Sequence, residues 1–148
     1  PASEWRVRVE TSDMTDQTDV YLTVESESYV SCGFGGPSKP VLFVRCVENT
    51  TAVVITTACH LADLQSYGQV TYRLDDLPAS TKGFRESTNN RALGLWNGGS
   101  AIPFVKNMLG HDTMLTRFTP FGESPISPRF NIAGLDEEIG PLREACGW

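Results

Sequence analysis

The segment Val41 to Thr57, VLFVRCVENTTAVVITT, limits the possible folds more than any other part of the chain. Val41 to Val47 is β-branched, aromatic or apolar at almost every position, and Thr51 to Thr57 is richer still in β-branched residues. Between them, Glu48-Asn49-Thr50 is a short polar turn, so the stretch predicts an antiparallel hairpin. A side-chain period of two puts Leu42, Val44 and Cys46 on one face, and Val41, Phe43, Arg45 and Val47 on the other. A lone hairpin is barely stable in water, so one face must be buried against other elements.

The flanking sequence offers those elements. Trp5 to Val9 alternates as a strand does, and Val20 to Val24 predicts a second strand with Val20, Leu22 and Val24 facing inward. Gln69 to Leu74, Thr113 to Thr119 and Arg129 to Ile132 predict further strands, with short ones around Phe84 and Leu95-Trp96. Ser100 is the expected N-cap of a mid-chain helix carrying Ile102, Val105, Met108 and Leu109, with Pro103 in its first turn and Gly110 as its stop. Leu135, Ile139, Leu142 and Cys146 recur at steps of four, three and four, which predicts a C-terminal helix that Pro141 kinks or divides. Asp136, Glu137 and Glu138 lie at its start, where the helix dipole favours negative charge. With no internal repeat or linker, residues 1–148 read as a single domain. The expected fold is mainly β: an antiparallel β-sandwich with two short helices, or alternatively a half-open barrel.

Charge and cysteine content narrow the function classes. A formal charge of −6, with three scattered lysines, disfavours a nucleic-acid partner. No apolar run approaches the length of about 20 residues that a spanning helix needs. Cys32, Cys46, Cys59 and Cys146 form no CxxC pair, a pattern poor for zinc and suited to two disulfides. Together with a first residue that is Pro rather than Met, this makes an exported or periplasmic protein that has lost a leader the expectation. Cys46 ends the inward row Leu42, Val44, Cys46, and Cys146 ends the helical stripe. Pairing of Cys46 with Cys146 is therefore expected, leaving Cys32 with Cys59. A cross-strand bridge between Cys46 and Cys59 is the open alternative.

Candidate chemistry is sparse. Cys59-His60, with His111-Asp112 as a distant base and orienter, could make a thiol nucleophile, but a half-cystine beside a surface histidine is the simpler reading. The same applies to a metal site from His60, His111 and Asp112. Gly33-Phe34-Gly35-Gly36 lacks the Lys-Ser/Thr ending of a phosphate loop. Asn49-Thr50-Thr51 matches a glycosylation sequon but reads as a polar turn. Asp13, Asp16 and Asp19 lack the glycine and glutamate of an EF-hand, so no cofactor is expected. Arg45 and Arg73 stand within strands. If they share a face, they could pair with Asp75 or Asp76, or offer anion-binding forks to a ligand. Tyr21, Phe43, Tyr72 and Trp96 are possible aromatic anchors of a partner surface.

Several motifs in order bring a family into view: Trp5-Arg6-Val7, Ser12 to Asp16, Val20-Tyr21-Leu22, Pro40 to Cys46, Val70 to Leu74, Ala101 to Leu109, Leu115 to Phe121, and above all Phe130 to Leu135 with Pro141 to Trp148. They resemble the TagO/VasI periplasmic accessory proteins of bacterial type VI secretion, which also occur in phages and prophages. An upstream Arg-Leu-Xaa-Cys-Tyr-Asp segment of that family is absent from this sequence, so a shortened N-terminus or a phage-type branch is expected. The resemblance implies a non-enzymatic protein that binds an envelope protein or a cell-wall component. It carries over no catalytic residue. The alternatives are a phage- or prophage-encoded envelope-acting protein and a small hydrolase using Cys59 or a serine.

Overall fold

The hairpin forms as β3 (Val41–Val47) and β4 (Thr50–Thr56) in the computed structural model, which describes residues 2–32 and 36–148. The turn is tighter than its composition suggests. Thr50 already pairs with Val47, so Glu48 and Asn49 alone make the reversal, with φ of 50° and 60°. Left-handed conformations at both central residues match the twist of the strands they join. Asp19 accepts a hydrogen bond from the Glu48 amide at 3.1 Å and secures the turn.

β1 (Arg6–Thr11) and β2 (Thr18–Glu25) precede the hairpin, and β7 (Arg85–Glu86) and β8 (Ala92–Leu95) follow it. They join it in one six-stranded antiparallel sheet of order β1-β2-β3-β4-β8-β7. β5 (Gln69–Leu74), β6 (Ser80–Gly83), β9 (Thr113–Arg117) and β10 (Arg129–Asn131) make a four-stranded sheet of order β10-β9-β5-β6. Both sheets are open-ended, so the architecture is a sandwich and not a closed barrel. They touch through a bridge between Ser26 and Phe130, and the chain crosses from one to the other at Phe84, between β6 and β7.

Period-two alternation places Val20, Leu22, Val24, Leu42, Val44, Cys46, Val53 and Ile55 in a single buried cluster. The smaller sheet contributes Val70, Met114 and Phe130 to it. The helix α1 (Gly98–Met108) adds Ala101, Phe104, Val105 and Met108, and packs against β4 and β8. Its start differs from the sequence expectation. Asn97, not Ser100, is the N-cap: its side-chain oxygen accepts from the Ser100 amide at 3.0 Å. Gly98 and Gly99 thus lie inside the helix, and Pro103 falls in the second turn. Two glycines before a serine read locally as loop, whereas burial of the 101-104-105-108 stripe holds them helical.

The C-terminal segment divides at Pro141. α2 (Leu135–Glu138) ends before Ile139, and α3 (Gly140–Cys146) begins with the proline in its first turn, where no amide hydrogen bond is lost. Leu142 is buried, and α3 lies over β2 and β3. Cys146 bonds Cys46 with their Cα atoms 5.9 Å apart, and Cys32 bonds Cys59 at 5.4 Å. Trp148 closes the end of the molecule. Its indole N–H donates to Thr51 at 2.9 Å, and Lys106 and Arg143 lie against its ring.

Candidate functional site

The outer face of the six-stranded sheet brings together exposed Arg6 and Arg8 with half-buried Tyr21, Phe43, Arg45 and Trp96. Register sets it out. Arg8 on β1 stands opposite Tyr21 on β2, Tyr21 opposite Arg45 on β3, and Arg45 opposite Ala52 on β4. Arg8 lies 4.4 Å above the Tyr21 ring, and Arg45 lies 5.5 Å from the Trp96 ring. The row therefore alternates cation and aromatic across the sheet, with the Arg8 guanidinium also paired with Glu10 at 3.2 Å. The next row holds Arg6, Thr23, Phe43, Val54, Gly94 and Arg85. Of these residues, Arg6, Arg8, Tyr21, Thr23 and Phe43 line an open groove of about 700 Å³ across β1 to β3, with Glu4 and Glu25 also in its lining.

Trp96 is placed by Gly94. A Cβ at position 94 would sit 2.7 Å from the indole Cε2, so only glycine lets the ring lie flat on the strand. The indole N–H donates to the Arg85 carbonyl at 3.0 Å, fixing the ring's direction. Beneath it, Ala52, Val54 and Ala92 make a second apolar cluster, joined by Phe43. Hence β4 is buried on both faces, a feature its continuous apolar run encodes.

The other expected site residues are distributed differently. Tyr72 faces the core, its ring 4.7 Å from Phe104. Arg73 occupies the outer face of the smaller sheet and so shares no face with Arg45. Its guanidinium donates to the carbonyls of Leu77 at 2.9 Å and Asp76 at 3.2 Å, pinning the turn after β5. The expected ion pair of Arg73 with Asp75 or Asp76 is not formed. Asp75 has φ of 49°, and its carboxylate instead meets the start of β9. One oxygen accepts from the amides of Asp112 at 3.1 Å and Thr113 at 2.9 Å; the other lies 2.9 Å from His111 Nδ1. These bonds, that of His111 foremost, hold the Asp75 carboxyl below the usual carboxylate range.

That arrangement bears on the grouping of Cys59, His60, His111 and Asp112 weighed against the half-cystine reading. His111 is oriented by Asp75, not by Asp112, and it borders a shallow groove of about 210 Å³ that also includes Tyr72, Ser80 and Asn107. His60 stands edge-on to Phe121 at 5.6 Å, and Cys59 is bonded to Cys32. Among the described residues, no hydroxyl or thiol is hydrogen-bonded to either histidine. Nor do three or more His, Cys, Asp or Glu side chains gather in a metal-holding cluster there. Gly33, Phe34 and Gly35 of the glycine-rich stretch lie outside the described residues. Arg6, Arg8 and Gly94 belong to the outer face although no single motif marks them. The alternation of Trp5 to Val9 is the signal that sets the two arginines on one side.

A family model described as "Type VI secretion system VasI, EvfG, VC_A0118" matches residues 2–148. No curated protein and no solved structure matches the chain.

Proposed function

Because the chain belongs to the type VI secretion VasI family, we propose that it serves that system as a non-enzymatic accessory protein of the periplasm, binding an envelope component through the outer face of its larger sheet. The observation carrying this reading is the row Arg8, Tyr21, Arg45, Trp96, in which stacked guanidinium forks and aromatic rings share one solvent-facing surface. Such forks match carboxylates in a bidentate way, and aromatic and arginine side chains dominate the binding energy of protein contacts. The component recognised is therefore a carboxylate-bearing one, on an envelope protein or on the cell wall. Oxidised cysteine pairs suit an exported chain.

The test is complementation of a bacterial strain lacking its own copy of the gene. The wild-type chain restores type VI secretion and leaves the cell with the contents released by osmotic shock. A chain carrying Arg45→Glu and Trp96→Ala keeps its strand-dominated circular dichroism but fails to restore secretion. Secretion restored equally by both chains would refute the role of this surface. Sedimentation with isolated cell-wall sacculi, weakened in the double variant, distinguishes a wall ligand from a protein one.

A further inference from the structure

β1 is an edge strand whose protection is confined to the charges of Arg6, Arg8 and Glu10. All six of its residues are exposed, it contains no proline, lysine or bulge, and its only partner among the described residues is β2. Both ends are held. The Trp5 indole donates to the Ile132 carbonyl at 3.1 Å, and the Ser12 amide donates to the Gln17 carbonyl at 2.9 Å across the loop to β2. A regular, anchored edge of this kind is a template for another strand.

Backbone alternation shows which groups are offered. Ser12 turns its amide toward Gln17, so Glu10 and Arg8, at steps of two, also bond β2. The amides and carbonyls of Val7, Val9 and Thr11 then point away from the sheet. On the same edge, residues Val7 and Val9, whose side chains lie on the inner side, are 39% and 53% exposed. Val9 borders a groove of about 540 Å³ shared with Val20, Pro141 and Ala145.

The side chains identify the partner strand. Arg8 and Glu10 stand on the outer side, 3.2 Å apart, with their side chains 64% and 53% exposed. In an antiparallel pair of two such strands centred on Val9, Val9 meets Val9 and Val7 meets Thr11 through the outward backbone groups. Arg8 then falls opposite Glu10 twice, in the closely spaced non-hydrogen-bonded positions where side chains interact most strongly. A shift of two residues one way sets Glu10 against Glu10, and the other way it sets Arg8 against Arg8 while Arg6 meets Glu10 twice. The register centred on Val9 is thus the one of the three in which opposite charges meet and no like charges do. We propose that β1 pairs with β1 of a second copy of this chain, joining two six-stranded sheets into one and continuing their arginine-aromatic outer faces across the two-fold axis.

One six-residue strand pair buries little area, so the dimer is weak. Sedimentation velocity of the full oxidised chain from about 10 μM to about 1 mM tests it. A reversible monomer–dimer equilibrium is expected, with amide exchange at Val7, Val9 and Thr11 slowing as the dimer fills. Glu10→Arg, on an exposed position, places like charges in both symmetric pairs and weakens dimerisation about tenfold. Adding Arg8→Glu to that variant reverses the charges and restores wild-type association. A chain that stays monomeric over the whole range overturns the proposal. So does a dimer that Glu10→Arg leaves unchanged, or that the double exchange fails to restore.

Discussion

Removing the Cys46–Cys146 bond is the sharpest perturbation of this fold, and the second disulfide supplies its control. The two bonds close loops with sequence separations of 100 and 27 residues. Chain-entropy arithmetic gives them about 4.7 and about 3.6 kcal/mol respectively, through the freedom each denies the unfolded chain. Packing losses nearly cancel in the comparison. Each pair joins one fully buried cysteine, Cys46 or Cys59, to one partly buried partner, Cys146 or Cys32. Replacing either pair by alanine therefore leaves similar small voids, and the difference isolates loop closure. The chain lacking Cys46 and Cys146 should be the less stable by about 1 kcal/mol. Urea unfolding of both double variants at about 15 °C, near the usual stability maximum, measures this. The m-value guards the interpretation, because a fall in m for the first variant would mean that α3 had left β2 and β3 before global unfolding. Equal or greater stability of the Cys46/Cys146 variant, with m unchanged, would refute the loop-closure account.

Gly94→Ala should displace the Trp96 ring, since the new methyl would lie 2.7 Å from it. A loss of about 1–3 kcal/mol and a red-shifted tryptophan emission are expected, and an unchanged spectrum would contradict the stacking. Acid should weaken the junction between β5 and β9. The folded-state pKa of Asp75 is depressed, so its contribution is present above the unfolded value and is lost as pH falls below about 4 through the folded one. Asp75→Asn should flatten the fall of the urea midpoint between about pH 5 and pH 2; an unaltered slope would count against the Asp75–His111 contact.

Much of the fold was legible because the central strands state their buried side locally. Alternation in Val20 to Val24 and Leu42 to Cys46, and the steps from Leu135 to Leu142, specify an apolar face whatever that face later meets. The same patterns predict an antiparallel β-sandwich with short helices, and the chain adopts one. Burial of β4 on both sides, with Trp96 over its outer one, is not read from the sequence, which predicts that the hairpin buries one face. Other features needed the assembled tertiary structure. Asn97 caps α1 only because packing of Phe104 and Val105 draws Gly98 and Gly99 into the helix. Asp75 turns from Arg73 to His111, 36 residues away, because the β5–β9 pairing brings β9's first amides to its carboxylate. Tyr72 and Arg73 are adjacent in sequence yet serve the core and a surface turn, while Arg8, Tyr21 and Arg45 come from three strands to form one row. Periodicity fixes the side of an element on which a residue lies. Which residues meet there depends on strand order and register, and those are set by contacts between segments far apart in the chain.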